Sequence, residues 1–575
     1  MIRLRRVFCW SFLALAALLL AGAGRVALWR SLPVSGDTPS DGWVRVGGVV
    51  HVHTTLSDGG GTPEEVVKAA RLAGLRFVAI TDHGHMDARP IEGYRDGVLV
   101  LVGTEVSTTA GHIVALGLSA PGFRFSGDPL DALDDIRELG GFAFAAHPDN
   151  ARPDLRFTGW SLPGPWGIEL VNGDSQWRAA GWASLVRTST LYALNPRYSL
   201  LTTLTPPEAA LERWDRLLQE RDAPGLAGAD AHSRIPLPGG RALRFPSYAA
   251  LFDLLRVYAL VAEPPSGRAD ADAQAVLTAL GAGRSYMAVE ALAPADGFSF
   301  TLHGEAGRWT MGDSAPPAPG LRLRAGGRLP AGARLRLLKD GRPLLEQTGR
   351  LEWPSPGPGV YRVEVYVPGW RIPWVISNPI VVCGTEQRLR RQQRAAWPVQ
   401  PEPPPTRLLL DGFEGSSRFA TEHDPGSAVE AAALEPGGGF DDRAAARLAF
   451  RLGAFEAPPA PTYCSLIARG EWDLSGAHSL LFWIRGDGVY RVRVELRDRN
   501  PLSSDNGVEF WSASMRTTTA WRRVALPIAR FRSINPRSDG RLDLDQIREI
   551  TFVIDKGTMP LGSHGSIWLD ELGTD

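Results

Sequence analysis

At 575 residues the chain exceeds the length over which one hydrophobic core grows, so we expect two to four domains. Its 62 Lys and Arg residues balance 63 Asp and Glu residues, and a net charge of -1 argues against nucleic acid as the main partner. Three cysteines are too few for a disulfide framework.

The first segment has the pattern of an export signal. Arg3, Arg5 and Arg6 precede an uncharged apolar run from Val7 to Ala23. A basic start, an apolar stretch and small residues at its end are typical of a secretory signal peptide. Because the run is at the short limit for crossing a bilayer, residues 1–30 are predicted to be either a cleaved signal or a membrane anchor. We therefore expect an extracytoplasmic protein that is secreted, periplasmic or anchored to the membrane.

Short apolar runs alternate with helix signals over residues 44–290. The clearest helix begins at Thr62, where TPEE supplies an N-cap, a proline in the first turn and Glu65 as capping-box partner. Repeated strand and helix units predict an α/β barrel. In such a barrel, functional side chains lie after the C-terminal ends of the strands.

The pattern changes to β-structure after the barrel. Residues 291–385 contain short strands separated by Gly and Pro and predict a small β-sandwich. Residues 386–407 join a basic run to a proline-rich stretch and predict a linker. Residues 408–575 contain many strands with little helix between them and predict a β jelly roll.

Histidines and carboxylates follow the predicted strands of the barrel. Seven of the 11 histidines lie between residues 51 and 232, most of them beside a carboxylate. The candidate metal ligands are His51, His53, Asp58, His83, Glu105, His112, His147, Asp230 and His232. Imidazole and carboxylate are the usual ligands of Zn, Mn and Fe, and buried carboxylates are costly unless cations balance them. The sequence therefore predicts a site for two or three divalent metal ions.

The motifs HVHTTLSDG, AITDH, GTEVST, GHIVALG, AHP and GADAH, taken in order, resemble those of the PHP family, named for polymerase and histidinol phosphatase. The closest branch includes carbamate-ester hydrolases. The resemblance covers residues 44–290 and implies a distorted (β/α)7 barrel that holds up to three Mn, Fe or Zn ions. It also implies how the ligands divide: His51, His53, Glu105 and Asp230 on one ion, bridging Glu105 with His112 and His147 on a second, and Asp58, His83 and His232 on a third. Glu169 is implied to be an outer partner or a substrate contact.

The resemblance implies a metal-dependent hydrolase, foremost a phosphoesterase, in which a metal-bound hydroxide attacks a small-molecule ester. The N-terminal pattern adds the expectation that this hydrolase is exported. Asp230 and His147 are the candidate catalytic residues. One alternative is a carboxyl or carbamate ester or amide hydrolase at the same site. Another is a surface carbohydrate-binding protein whose barrel binds metal without catalysis. Arg89, Arg152 and Arg234 are candidates for fixing an anionic group.

The last domain resembles the galactose-binding-like jelly rolls of the complex I intermediate-associated type, through SLLFWIRGDGVYRVRVELRD and SIWLDEL. Such modules are related to family-11 carbohydrate-binding modules, which implies carbohydrate as a further partner. Four tryptophans either stack on sugar rings or pack in the core: Trp483, Trp511, Trp521 and Trp568. Asp411, Glu414 and Asp570 lie near the two ends of the module and are candidates for a structural Ca²⁺.

Overall fold

The computed structural model describes residues 17, 20–397, 401–430, 434–441, 443–455, 462–503 and 507–575. The chain divides into two compact units, Met1–Ser119 with Ile136–Pro398, and Ala120–Asp135 with Val399–Asp575. Most of the predicted export signal lies outside the described residues. Within them, no helix is both long and apolar enough to cross a membrane.

A closed barrel forms the centre of the first unit. Its strand Val44–Val52 pairs in parallel with Phe77–Ile80 on one side and with Gly225–Ala231 on the other. The other barrel strands are Val98–Val102, Thr104–Thr108, Gly111–Leu116, Phe142–Ala145 and Trp166–Asn172, with Gly93–Arg95 and Arg256–Val261 paired along its edges. Gly111–Leu116 runs antiparallel to both of its neighbours. The barrel is therefore a distorted form of the all-parallel type.

Helices connect the barrel strands. Their bounds are Pro63–Leu72, Pro129–Glu138, Gly173–Ala179, Trp182–Tyr192, Pro196–Leu201, Glu208–Glu220, Tyr248–Phe252 and Ala269–Gly281. The predicted capping box is confirmed: the Thr62 hydroxyl accepts a hydrogen bond from the Glu65 N–H, and the Glu65 carboxylate accepts one from the Thr62 N–H. These bonds satisfy backbone donors that a helix start leaves without partners.

A β-sandwich continues the barrel sheet within the first unit. Ser285–Ala288 pairs with Arg256–Val261 on one side and with Val375–Ser377 on the other. The further strands are Phe298–Gly304, Gly307–Thr310, Ser314–Ala315, Arg322–Gly327, Leu329–Pro330, Arg334–Lys339, Arg342–Thr348, Leu351–Pro354, Gly359–Tyr366 and Ile380–Val382. Barrel and sandwich are thus joined by backbone hydrogen bonds and not only by a connecting segment.

The prediction of a linker over residues 386–407 is wrong in its first part. Thr385–Ala395 is an α-helix, and its Arg391 is buried. The Arg391 guanidinium donates to the carboxylate of Asp222 and to the carbonyl of Leu218, both at 2.6 Å. Because these partners come from a distant part of the chain, the basic run looked like a solvated linker in the sequence.

Two antiparallel sheets form the second unit, as predicted for residues 408–575. One sheet contains Leu408–Asp411, Ala428–Val429, Leu434–Glu435, Ala445–Arg451, Ser479–Gly486, Arg522–Pro527 and His564–Thr574. The other contains Phe419–His423, Tyr463–Trp472, Arg491–Arg499, Val508–Arg516, Arg532–Ser533 and Ile547–Asp555. The rings of Phe482 and Phe552, one from each sheet, have centroids 5.1 Å apart in the core.

The four tryptophans of this unit contact other side chains. Trp511 is 7 % exposed, and the Trp483 ring stacks on Phe440 with centroids 3.5 Å apart. Arg485 lies over the rings of both Trp568 and Trp521, at 4.3 and 5.3 Å from their centroids. Sugar stacking by these residues stays a prediction.

The three predicted calcium ligands make local contacts. Asp411 accepts hydrogen bonds from the Phe413 N–H and the Ser417 hydroxyl, both at 2.8 Å. Asp570 accepts one from the Phe440 N–H, and Glu414 lies 3.5 Å from Arg443. A calcium ion at these residues stays a prediction.

Candidate metal centre

His51 and His53 lie at and just after the end of the first barrel strand and are completely buried. Their Nε2 atoms lie 3.2 and 3.1 Å from Oε2 of Glu105. The same two atoms lie 3.4 and 3.3 Å from Oδ1 of Asp230. Two imidazole nitrogens and two carboxylate oxygens therefore surround one point at the barrel mouth.

Glu105 is the central residue of the cluster and is 1 % exposed. Its Oε1 lies 2.7 Å from Nδ1 of His112 and 2.8 Å from Nε2 of His147. Its Oε2, besides facing the first histidine pair, lies 3.3 Å from Nδ1 of His83. Because the two oxygens face different histidines, this carboxylate can bridge two cations.

Asp58 forms the outer edge of the cluster. Its Oδ1 lies 3.2 Å from Nε2 of His232, 3.6 Å from Nδ1 of His53 and 3.7 Å from Nε2 of His83. The side chain of Asp58 is 48 % exposed, whereas that of Glu105 is 1 % exposed. This edge is therefore where a substrate could reach the centre.

The structure brings all nine predicted ligands together. Ligand atoms lie within 4.8 Å of one another in three groups: His53, Asp58, His83 and His232; His51, His53, Glu105 and Asp230; and His83, Glu105 and His112. The groups share members, because His53, His83 and Glu105 each belong to two of them. His147 reaches Glu105 without joining a group.

The donor atoms fit bound cations. Buried atoms without a hydrogen-bond partner among the described residues include Nε2 of His51, both ring nitrogens of His53, Nδ1 of His83 and Oδ1 of Asp230. Leaving such an atom unsatisfied costs about 1–3 kcal/mol. Nitrogen and oxygen donors in a mixed set suit Zn, Mn and Fe. The cluster therefore fits divalent transition-metal ions.

The charges of the cluster shift the pKa values of its histidines. Burial lowers the pKa of His51, but the carboxylates of Asp230 and Glu169 raise it well above its usual range. Burial also lowers the pKa of His232, but its hydrogen bond to the Asp58 carboxylate and the charge of Asp230 raise it to about 10. Metal-ligating imidazoles must be neutral, so binding of a cation here releases protons.

Glu169 and Asn172 orient three of the ligands from behind. Glu169 lies 2.9 Å from Nδ1 of His51 and accepts the backbone N–H of His147 at 2.7 Å. Asn172 donates to Glu169 at 2.8 Å and to Asp230 at 3.1 Å. Glu169 therefore contacts the candidate ligands from outside, which is one of the two roles that the family resemblance implied for it. The sequence analysis missed Asn172.

Gly228 leaves the room that Glu169 occupies. A Cβ at Gly228 would overlap the Glu169 carboxylate and would lie 3.1 Å from the Cβ of His51. The glycine in GLAGADAH is therefore a requirement of the centre, although it carries no ligand. The sequence offered no signal for this role, because the contact joins two separate strands.

Tyr248 links two ligand loops through its buried hydroxyl. The oxygen lies 2.8 Å from the carbonyl of His53 and 3.1 Å from that of His232. It also accepts the N–H of Gly61 at 3.2 Å. On the other side, Asp82 accepts the N–H and the hydroxyl of Thr54, both at 2.7 Å. These bonds hold the loops that carry the outer ligands.

Three ligands have strained backbone. The φ angles of His51, His147 and Asp230 are +65°, +29° and +48°. Residues other than glycine rarely adopt this left-handed region, and such strain is concentrated at functional sites. The chain therefore turns sharply where it delivers these side chains.

Of the three arginines proposed from the sequence, Arg234 contacts a ligand residue, donating to the backbone carbonyl of Asp58 at 3.2 Å. Arg89 instead donates to the carbonyl of Leu118, and Arg152 pairs with exposed Asp154. Both therefore have partners elsewhere. His85, two residues after His83, is also outside the ligand groups and lies 3.1 Å from the carbonyl of Leu56.

Arg178 is a basic residue that the sequence analysis missed. It pairs with Asp174 and its side chain is 45 % exposed. Burial lowers the pKa of Arg178, but the charges of Asp174, Asp230 and Asp58 raise it overall. Arg178 thus lies within electrostatic reach of the metal ligands and retains partial contact with solvent.

Comparison with known proteins supports the first part of the barrel as a PHP domain. Residues 50–126 match the PHP domain. An uncharacterized protein of Methanocaldococcus jannaschii is 32% identical over 114 residues, which span 17% of this chain and 66% of that protein. This chain therefore matches about two thirds of the length of that relative and not the whole of it. The PHP domain predicted from the motifs is confirmed.

Solved structures resemble parts of the chain. A two-domain protein from Bacteroides vulgatus, containing a predicted PHP-like metal-dependent phosphoesterase, is 16% identical with a TM-score of 0.28, covering 61% of this chain and 99% of that one. The family 11 carbohydrate-binding module of Clostridium thermocellum, in complex with a mixed-linked tetrasaccharide, is 19% identical with a TM-score of 0.24, covering 29% and 94%.

Proposed function

We propose that this chain is an exported, metal-dependent hydrolase that acts on phosphate esters. The observation that carries the proposal is the convergence of buried, unpartnered ligand atoms around Glu105 and Asp230. Bound divalent ions would lower the pKa of a water molecule and polarise a phosphoryl or carbonyl oxygen. The exposed edge at Asp58 gives a small ester access to the centre.

The catalytic residues proposed are Asp230 and His147. Oδ1 of Asp230 is turned toward the imidazoles, and its Oδ2 is fixed by the Asn172 amide. We infer that Asp230, held in this way, takes the proton of an attacking water. Nε2 of His147 contacts the Glu105 carboxylate, and the backbone N–H of His147 donates to Glu169. His147 therefore fixes both carboxylates.

A phosphate ester is preferred because cationic groups lie beside the ligands. Arg178 is within reach of the Asp230 and Asp58 charges, and Arg234 contacts Asp58 directly. Guanidinium groups bind anionic oxygens through paired N–H donors. A carboxyl or carbamate ester or an amide is the alternative substrate at the same centre. A carbohydrate-binding surface protein with a non-catalytic barrel is the second alternative.

The test compares His83→Ala with His85→Ala in the full-length protein. His83 belongs to two ligand groups, whereas His85, two residues further on, belongs to none. Metal content is measured by elemental analysis. Turnover is measured with phosphomonoesters, phosphodiesters and aryl carboxyl esters in the presence of added Mn, Zn or Fe. We expect H83A to lose metal and phosphoesterase activity and H85A to keep both.

Other outcomes select the alternatives. Faster turnover of carboxyl esters than of any phosphate ester would favour the second substrate class. Full metal loading without any turnover that H83A removes would favour the binding protein.

Export is proposed from the basic and apolar pattern of residues 3–23. Expression in a bacterial host followed by fractionation and N-terminal sequencing tests it. We expect the protein in the periplasm, the medium or the membrane fraction. Recovery in the cytoplasm with Met1 intact would contradict export.

A further inference from the structure

Two acidic side chains face each other in the interior of the C-terminal sandwich. Asp498 in the strand Arg491–Arg499 lies directly opposite Glu509 in the strand Val508–Arg516. Directly opposed residues of an antiparallel pair point to the same face of the sheet. Asp498 is 1 % exposed and Glu509 is 0 % exposed. The two carboxylates are thus buried side by side.

The neighbouring side chains on the same two strands are apolar. Side chains alternate along a strand, so Asp498 shares its face with Val494 and Leu496, and Glu509 shares its face with Trp511. Val494 and Leu496 are 0 % exposed, and Trp511 is 7 % exposed. An apolar core column therefore ends in two acids, which is a local conflict that a folded protein retains for a ligand or a function.

Each carboxylate has one satisfied oxygen and one unsatisfied oxygen. Oδ2 of Asp498 accepts the Asp543 N–H at 2.7 Å, and Oε2 of Glu509 accepts the side-chain amide of Asn500 at 2.5 Å. Oδ1 of Asp498 and Oε1 of Glu509 are buried without a hydrogen-bond partner among the described residues. These two oxygens have free lone pairs, and the strand register places the side chains that carry them opposite each other.

The strongest charged neighbours of Asp498 are acidic. Burial raises the pKa of Asp498 to about 6, and Glu509, Asp543 and Asp539 add to that rise. Asp543 is itself paired with the exposed Arg541, at 2.8 Å. Burial raises the pKa of Glu509, but hydrogen bonds from Ser533, Ser538 and Asn500 lower it overall. At neutral pH both buried carboxylates therefore carry charge, and no ion pair with a cationic side chain is found for either among the described residues.

We propose that Asp498 and Glu509 bind a calcium ion. The donors are oxygen atoms only, and hard cations such as Ca²⁺ take oxygen ligands, with water or backbone carbonyls completing six to eight positions. The absence of nitrogen or sulfur donors from the pair disfavours Zn and Fe. This site differs from the calcium position that the sequence predicted at Asp411, Glu414 and Asp570.

The experiment measures thermal unfolding of the full-length, metal-stripped protein as Ca²⁺ or Mg²⁺ is added. The wild type is compared with the double variant D498N/E509Q, so that Ca²⁺ bound at the barrel contributes to both. At Ca²⁺ concentrations about 100 times Kd, we expect the wild-type transition to rise by roughly 5–10 °C. The unfolding temperature of the double variant should rise only by the amount that Ca²⁺ binding at the barrel causes.

Two controls keep the result interpretable. The double variant E471Q/D473N removes two acids near the surface of the same unit, where Glu471 is 82 % exposed, and should respond like the wild type. In chelator, D498N/E509Q should unfold at the wild-type temperature or above, since amides remove the repulsion between two carboxylates. That result shows that the variant folds.

Terbium provides a second readout because Tb³⁺ replaces Ca²⁺ at oxygen sites. Trp511 lies two residues from Glu509 on the same face, so excitation of tryptophan should sensitise a bound Tb³⁺. We expect the emission to fall by at least about half in W511F and to disappear from this site in D498N/E509Q. Equal Ca²⁺ responses in wild type and D498N/E509Q would overturn the proposal. So would a wild-type transition that shifts with pH between 4 and 7 but not with Ca²⁺, because a shared proton would then satisfy the pair.

Discussion

The barrel centre and the Asp498–Glu509 pair both bury carboxylates, but they surround them differently. Glu105 lies within 3.3 Å of five imidazoles, whereas Asp498 faces a second acid. Imidazoles can balance a carboxylate by taking up protons when metal is absent. No imidazole is found in contact with the sandwich pair in the part of the chain that the structure describes. The same problem, a buried negative charge, thus supports two different proposals: a transition-metal centre in the barrel and a hard-cation site in the sandwich.

The largest expected effect comes from Glu105→Gln, which removes the bridging charge. We expect E105Q to lose at least two bound ions. Its rate of hydrolysis should fall by more than the roughly 10–100-fold that is typical when a residue that only orients a metal ligand is replaced. Elemental analysis and initial rates measure both, with exposed Glu212→Gln as the control. E105Q should keep the Ca²⁺ response of the sandwich. If E105Q retained full metal content, the central place given to Glu105 would be wrong.

A smaller effect is expected from Glu169→Gln, which keeps the shape of the side chain but removes the charge behind His51. Metal affinity or kcat/KM should fall by about 10–100-fold. Gly228→Ala should act in the same direction, because the new methyl group displaces Glu169. Wild-type affinity in both variants would mean that the ligands need no orientation from this side.

The effect of pH should distinguish the two regions. Metal affinity of the barrel should rise with pH, by up to about tenfold per unit for each proton displaced. Without metal, the raised pKa of His232, about 10, adds stability that is complete below about pH 6.5 and is lost as the pH rises through 10. Zinc competition with a chelator at pH 6, 7 and 8 measures the first effect. Affinity that is independent of pH would contradict proton release.

The smallest effect is expected from Tyr248→Phe, which removes the hydroxyl between the loops of His53 and His232. The free energy of unfolding should fall by about 0.5–1.5 kcal/mol, and metal affinity should weaken. Tyr94→Phe, which breaks a 2.8 Å bond to Asp272 away from the centre, is the matched control. It should lose stability without a change in metal affinity. Equal metal affinity in Y248F and Y94F would show that the tyrosine serves stability alone.

Much of the barrel and its ligands could be predicted because the signals are local. His51, Glu105 and Asp230 each follow a short apolar run, and their types alone indicate metal chemistry. The orienting residues could not be predicted in this way. Asn172 and Gly228 are ordinary residues in the sequence, and their roles depend on which strands become neighbours. The helix Thr385–Ala395 was not predicted for the same reason, because the burial of its Arg391 depends on partners far along the chain.

Each acid of the sandwich pair has a signal in the sequence, although their pairing does not. In VRVELRD the apolar residues Val492, Val494 and Leu496 alternate with charged residues, and Asp498 continues the apolar side of the alternation. Glu509 and Trp511 have the same relation in the next strand. A charged residue at a core position is a signal, but the sequence does not tell that two such residues are opposed.

The left-handed backbone of His51, His147 and Asp230 affects how substitutions there should be interpreted. Alanine at any of these positions removes a ligand and must also adopt a left-handed conformation that histidine and aspartate tolerate better than alanine does. Asparagine tolerates that conformation far better. Asn is therefore the informative replacement at position 230, and an alanine scan would overstate the energetic contribution of these three side chains to the folded protein.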